Sequence, residues 1–168
     1  MIQFLNWFQA NYPKLKKDLQ NSHHNFDDTD TNPYHIEGDC WSHTMMVCKI
    51  AQLKKYDKVV QVSALLHDIG KPQSRKINYE NNHVLYWGHE ELSAQMSKPL
   101  VTDLVKREML TKEEADEVIT LIALHGEIYK DRVGVDRLLK DNPKVLKHLL
   151  ELHECDDLGR FSETMREF

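Results

Sequence analysis

The chain has 168 residues, 40% of them hydrophobic and 29% charged, a balance that suits one ordinary globular domain. Its 27 acidic residues outnumber the 22 lysines and arginines, giving a formal charge of −5. That excludes a broad nucleic-acid clamp, which needs an extended basic field, but leaves room for a small phosphorylated ligand held by a metal and a few basic side chains.

The N-terminal stretch MIQFLNWFQANYPKLKK places Ile2, Leu5, Trp7, Phe8 and Leu15 at helical spacing, with an interruption at Pro13. It has no leader-like cleavage site, and no apolar run in the chain is long enough to span a bilayer. A cytoplasmic protein without a membrane partner is expected. Residues 21–40 are rich in Asn, Asp, His and Thr and read as a long polar loop. A helix is predicted from Trp41 to about Lys55 through Met45, Met46, Val47, Ile50 and Leu53. A second runs from about Lys58 to Ile69 through Val59, Val62, Leu65 and Leu66, with Gly70 as its C-cap and Pro72 as a barrier to continuation. Lys76–Trp87 reads as a hairpin turning at Asn81-Asn82. A third helix begins near His89, and Thr111 with Glu114 forms a capping box for a fourth that reaches Leu124, with Gly126 able to end it. Pro143 opens a last helix over about 142–158. The expectation is an all-α bundle with one small hairpin, a single domain over 1–168. Cys40, Cys48 and Cys155 are widely spaced and form no CxxC pair, so they fit buried thiols in a reducing compartment rather than a zinc ribbon or redox motif.

Along this framework stand His43, the pair His67-Asp68, His89, His125 and Asp156, each within or at the end of a predicted helix. Imidazole and carboxylate are the ligands of borderline and hard divalent metals, and bundles build metal sites from facing helices. One helical histidine carries little weight alone. Asp68 carries more, because it follows the apolar stretch Val62–Leu66 and a buried carboxylate needs a partner or a metal. His67 and Asp68 would diverge by about 100° inside a regular helix, yet can converge at its end. Asp156 and Asp157 repel each other unless one meets a cation or water. Helical periodicity does not choose between them: Asp156 continues the stripe through Leu149 and Leu152, Asp157 the one through Leu146 and Leu150.

The string LLHDIGKP (Leu65–Pro72) resembles the signature of HD-domain phosphohydrolases. HIEGDCWSHTMMV (His35–Val47), YWGHEELSA (Tyr86–Ala94) and ECDDLGR (Glu154–Arg160) extend the likeness, which is to the HD domain attached to bacterial CCA-adding tRNA nucleotidyltransferases and to related stand-alone proteins. It covers about residues 34–160, leaving the N-terminal helix and polar loop, about 1–40, largely outside this motif-bearing core. The 168 residues leave no space for a nucleotidyltransferase head.

The resemblance implies that His43, His67, Asp68 and Asp156 are primary metal ligands, Asp156 being preferred to Asp157 because it fits the family's Ala-Asp-x-x-Gly-Arg register. His89 and His125 match the two further histidines of members that hold two ions with the first aspartate bridging; in one-ion members their counterparts face substrate phosphate. The ligand set implies one or two divalent ions (Mn, Co, Ni, Mg, Fe or Zn). A bound ion lowers the pKa of its water and polarises a phosphoryl oxygen, and Asp68 can accept the water's proton. Lys71 is expected to neutralise a phosphate, with Arg75 and Arg160 as further substrate-binding candidates. His35 is read as lining the active-site mouth or protonating the leaving group, against a turn-stabilising role. Trp41 and Trp87 are read as wall packing rather than base stacking. His23, His24, His83, His148 and His153 are assigned to the surface or to support of the ligands.

The implied activity is metal-dependent hydrolysis of a phosphoester on a nucleotide or nucleic-acid end, of phosphodiesterase or nucleotidase type and including 2′,3′-cyclic phosphates. The partners implied are a small nucleotide or phosphoester, or an RNA end. Two other functions use the same residues. One is an HD-fold di-iron oxygenase; the other is a degenerate HD domain that binds RNA or a protein partner, whose mark would be a broken ligand set.

Overall fold

In a computed structural model describing residues 1–27, 35 and 37–160, the chain folds into helices joined by short turns, with one two-stranded hairpin. Helix α1 (Ile2–Asn11) ends just before Pro13, which occupies the first turn of α2 (Pro13–Gln20), where its missing N–H costs nothing. The buried face of α1 is Phe4, Trp7 and Phe8, an i, i+3, i+4 set; Ile2, expected on that face, points to solvent. Phe8 stacks on Trp41 at 6.0 Å, and the Trp7 indole donates to Asp103 at 2.7 Å, so α1 is fastened to the bundle from two sides.

Helix α3 (Cys40–Leu53) is capped by Asp39, whose carboxylate accepts from the Ser42 amide at 2.9 Å and its hydroxyl at 2.7 Å. Helix α4 (Lys58–Leu66) is apolar nearly all round, as a central helix must be; Val59, Val60, Val62, Ala64, Leu65 and Leu66 are fully buried. It stops at Leu66, earlier than the expected Ile69, and His67–Gly70 form a turn. Gly70 is not a left-handed C-cap and Pro72 does not end helical structure. Gly70 has right-handed geometry (φ −84°), and Lys71–Ser74 form the short α5, with Pro72 in its first turn. Glycine is required there for space: a Cβ would lie 2.7 Å from the Ser93 amide nitrogen. The hairpin pairs β1 (Lys76–Asn78) with β2 (His83–Leu85) and turns through Asn82 at positive φ.

Helix α6 (His89–Lys106) packs along α7 (Lys112–Leu124), whose Thr111–Glu114 capping box is formed in both directions. Helix α7 ends at Leu124 as expected, just before Gly126, and two short helices that were not expected follow, α8 (Glu127–Lys130) and α9 (Arg132–Leu138). Helix α10 (Pro143–Leu158) closes the bundle against α3, α4 and α7. Its buried stripe is Val145, His148, Leu149, Leu152, Cys155 and Asp156, while Leu146 and Leu150 are only half-buried. All three cysteines are buried and free.

The polar loop is clasped at its base. His23 bridges to Asp39, the His24 amide donates to the Gly38 carbonyl at 2.8 Å, and the Cys40 amide donates to the Ser22 carbonyl at 2.9 Å. Residues 28–34 and 36 of that predicted loop lie outside the described residues. Among the described residues no helix is long and apolar enough to cross a membrane.

Candidate metal centre

The bundle brings six sequence-predicted residues to one place. His43 comes from α3, His67 and Asp68 from the turn after α4, His89 from the first position of α6, His125 from the end of α7, and Asp156 from the last turn of α10. His43, His67, Asp68, His125 and Asp156 are all buried, and His89 nearly so. The ending of α4 at Leu66 frees the adjacent His67 and Asp68 to face the same space.

Four of the donors are imidazoles, and three of them have Nδ1 hydrogen-bonded to a backbone carbonyl. The Nδ1 atoms of His67, His89 and His125 lie 2.9, 2.8 and 2.6 Å from the carbonyls of Ala64, Tyr86 and Ile122, each three residues back. The Ala64 and Ile122 carbonyls lie in the last turns of α4 and α7, where carbonyls lack intrahelical donors, and the Tyr86 carbonyl accepts the His89 ring beside the His89 amide; each contact fixes the tautomer with Nε2 as the free donor atom. His43 has Nδ1 at 3.1 Å from Glu37 Oε1 instead.

The donor atoms fall into two groups, His43 with His67 and Asp156, and Asp68 with His89 and His125; within each group they lie within 4.8 Å of one another. Asp68 faces both. Its Oδ2 is 3.3 Å from His67 Nε2 and 3.7 Å from His43 Nε2, and its Oδ1 is 3.4 Å from His89 Nε2 and 3.9 Å from His125 Nε2. Asp156 Oδ1 lies 2.9 Å from His43 Nε2 and 3.8 Å from His67 Nε2. Donors about 2.1 Å from one ion stand about 3.0 Å apart on an octahedral edge and about 3.4 Å apart on a tetrahedral one, so these spacings suit coordination. His67 Nε2 and Asp68 Oδ1 are buried atoms with no hydrogen-bond partner among the described residues, as expected of groups awaiting a cation. The cluster suits a divalent metal by chemistry, by spacing and by unmet valence.

The electrostatics agree. Burial alone would raise Asp68 and Asp156, but His67 and Lys71 around the first, and His43 and Arg160 around the second, hold both carboxyls well below the usual range. Burial, reinforced by His67, lowers His125 to about 4, leaving its ring neutral. Burial also opposes charge on His43, but its hydrogen bonds to Asp156 and Glu37 outweigh it and raise the ring to about 9; a cation there competes with that proton.

A third group, His24, His35 and Glu37, lies beside the centre. The His24 and His35 rings stack at 4.1 Å and 9°, so their in-plane lone pairs run side by side and do not converge on one ion. Glu37 Oε1 is engaged by His35 at 2.7 Å and His43 at 3.1 Å. These three residues form a supporting layer.

Asp68, His89, His125 and Asp156 line a cleft of about 670 Å³ with His35 and Lys71, and Arg160 and Lys130 also reach it. Lys71 is buried, 2.7 Å from Asp68 Oδ2 and over the Tyr86 ring at 5.3 Å. Burial opposes its charge, but Asp68 more than compensates, so it is a cation at neutral pH. Arg160 donates to Asp156 Oδ2 at 2.9 Å and to the Tyr129 hydroxyl at 3.0 Å. Arg75 is not brought to this cleft: its guanidinium donates to the carbonyls of His23 and Asn25, which makes it a tether of the polar loop. Burial pushes His35 below its ordinary value, so its ring is uncharged at neutral pH and Nε2 accepts rather than donates a proton. Asp157 is exposed and accepts from the Tyr129 hydroxyl at 2.7 Å.

Trp41, expected to pack against the site's walls, stacks instead on the core residue Phe8, and Trp87 is 79% exposed on the cleft's rim. His148 is buried and hydrogen-bonded to Glu117 at 2.6 Å, away from the centre. Sequence reasoning missed Glu90, Tyr129 and Lys130. Glu90 follows His89 inside a motif and could have been found there; Tyr129 and Lys130 lie on α8, for which the sequence offered no pattern.

The HD-domain family profile matches residues 40–156, more than half of the chain, and the matched span begins and ends on the elements that carry the centre. The chain belongs to the HD-domain family. Membership places it in a superfamily of metal-dependent phosphohydrolases. Among curated relatives, the Multifunctional CCA protein of Burkholderia orbicola (strain MC0-3) is 32% identical over 136 residues, 76% of this chain and 31% of the relative. That of Cupriavidus pinatubonensis (strain JMP 134 / LMG 1197) is 30% identical over 137 residues, 79% of this chain and 28% of the relative. That of Ralstonia nicotianae (strain ATCC BAA-1114 / GMI1000) is 28% identical over 144 residues, 80% and 32%. The chain thus spans about a third of the length of the relatives it matches.

Proposed function

We propose that this HD-domain protein hydrolyses a phosphoester of a nucleotide or nucleic-acid end, 2′,3′-cyclic phosphates included, with one divalent ion to be held by His43, His67 and Asp156 and a second by Asp68, His89 and His125. The observation that carries this reading is the placement of Asp68: one carboxylate oxygen faces each donor group, at the floor of a cleft that also holds Lys71. When bound by these residues, divalent ions would supply a water of lowered pKa and Lewis acidity toward a phosphoryl oxygen. The chain's own residues do the rest. Lys71 meets a phosphate oxygen as a point charge, and Arg160, anchored by Asp156 and Tyr129, offers the remaining N–H groups of its fork. His35, neutral and lining the cleft, takes a proton at Nε2; its electrostatics favour this over giving one to the leaving group. Trp87 presents an exposed aromatic face beside this machinery, which suits a substrate carrying a base. The likeness to CCA proteins supports a nucleotide or RNA-end substrate.

The test is a screen of the purified protein against nucleotides, cyclic nucleotides and model phosphoesters with Mn²⁺, Co²⁺, Ni²⁺, Mg²⁺, Fe²⁺ and Zn²⁺ in turn. Hydrolysis that needs the ion and stops with chelator is expected. A coloured iron-loaded protein that consumes dioxygen and releases no phosphate would assign it to the di-iron oxygenases. RNA binding without turnover under any ion would assign it to binding modules.

A further inference from the structure

The Glu37 carboxylate belongs to no donor group around Asp68, yet its side chain is only 4% exposed and lies between two functional histidines. We infer that Glu37 is the positioning residue of the centre, fixing His43 as a metal ligand and His35 as the cleft's proton acceptor through one shared oxygen; the second role rests on the function proposed above.

The need for it follows from where His43 sits. His67, His89 and His125 stand at helix boundaries, where a carbonyl three residues back is available to hold Nδ1. His43 lies inside the first turns of α3. The carbonyl three residues back, that of Cys40, accepts from the Thr44 hydroxyl at 2.9 Å, and the ring points out of the helix toward Asp156. Among the described residues no backbone carbonyl holds His43 Nδ1, so something else must set the ring's orientation and keep its proton on that nitrogen. Glu37 Oε1, 3.1 Å from Nδ1 in an ion-pair contact rather than an aligned hydrogen bond, is the acceptor on that side of the ring, with Nε2 turned toward Asp156, Asp68 and His67.

The same oxygen lies 2.7 Å from His35 Nδ1. An ionised carboxylate only accepts, so both rings carry hydrogen on Nδ1; His35 then presents a lone pair at Nε2, and so would His43 once a cation displaces the Nε2 proton that Asp156 accepts. His35 is further held by the parallel His24 ring at 4.1 Å. Glu37 is itself held in place by the turn in which the Gly38 amide donates to the His35 carbonyl, with Gly38 at φ +90° and its carbonyl accepting from the His24 amide. This gives the HIEGDCW segment a purpose: the glutamate aims two histidines, the glycine makes the turn, and the aspartate caps the helix that carries one of them.

The test measures metal affinity by competition with a chromophoric chelator, using Zn²⁺ as the probe, in the wild type, Glu37→Gln, Glu37→Asp and His35→Ala. Glu37→Gln should weaken Zn²⁺ binding about 10–100-fold. Glu37→Asp keeps the charge and should recover part of the loss, whereas His35→Ala should stay within about threefold of wild type in Zn²⁺ affinity while losing turnover. Wild-type affinity in Glu37→Gln would overturn this inference and leave the proposed function standing. A wild type that binds no Zn²⁺ would overturn both. Should Glu37→Gln not fold, imidazole ¹⁵N shifts of the Zn²⁺-loaded wild type decide: protonation of His35 and His43 at Nδ1 is expected, and protonation of either at Nε2 overturns the inference.

Discussion

Asp156 and Asp157 are neighbours of identical chemistry on α10, and one step along the helix separates a buried side chain from an exposed one. The sequence left them tied, because each continues an apolar stripe. The structure shows the stripes to be unequal: Leu149 and Leu152, which lead to Asp156, are fully buried, while Leu146 and Leu150, which lead to Asp157, are half-buried. Asp156→Asn should therefore lower activity by more than about 100-fold and release bound metal, whereas Asp157→Asn, which loses a hydrogen bond from Tyr129, should stay within about threefold. Steady-state kinetics at saturating metal compare the two, and a larger loss in Asp157→Asn would reverse the assignment. Lys71→Ala should leave the metal content unchanged but raise KM about tenfold or more, the cost of one charged contact to phosphate; an unchanged KM would place Lys71 outside substrate binding. Single-residue features were legible where a side chain sat inside a motif. They were not legible for Arg75, whose partners are carbonyls about fifty residues away, nor for Trp87, whose exposure no pattern reveals.

At the scale of elements, most helices were readable from apolar spacing and capping residues, and the errors cluster where a turn serves the centre. Gly70 has the composition of a helix stop, but its lack of a side chain serves the approach of α6, whose Ser93 hydroxyl accepts from the Gly70 amide at 2.9 Å. Gly70→Ala puts a Cβ 2.7 Å from backbone and 2.9 Å from the His89 carbonyl, so α6 must move away from Asp68. The expected cost is about 1–3 kcal/mol in chemical denaturation, with weaker metal binding on the His89 side; a variant equal to wild type in both would refute the close-approach argument. The capping box gives a pH-dependent contribution. Burial raises Glu114, but Lys58 and the Thr111 amide outweigh it and hold the carboxyl below its ordinary value. A depressed carboxyl stabilises the fold fully above its unfolded value, about 4.5, and the contribution is lost as pH falls through the folded value. Glu114→Gln should thus be less stable than wild type at pH 7, with the difference shrinking below about pH 4.5 in denaturant titrations; a constant difference would assign the effect to something other than charge.

Across the whole molecule, a chain of net charge −5 keeps its few cleft cations, Lys71, Lys130 and Arg160, each paired with an acid: Asp68, Glu90 and Asp156. The bundle and the six candidate donors could be read from sequence because apolar periodicity and short motifs are local. The division of those donors into two groups about one carboxylate could not, because it depends on how α3, α4, α6, α7 and α10 pack at their ends. That division is the account's central claim, and metal content per chain tests it most directly. Elemental analysis of Mn²⁺-loaded, dialysed protein should find about two ions in the wild type, about one in His89→Ala, and close to none in Asp68→Ala. A wild type holding at most about one ion, or an Asp68→Ala variant that keeps the wild-type content, would contradict it.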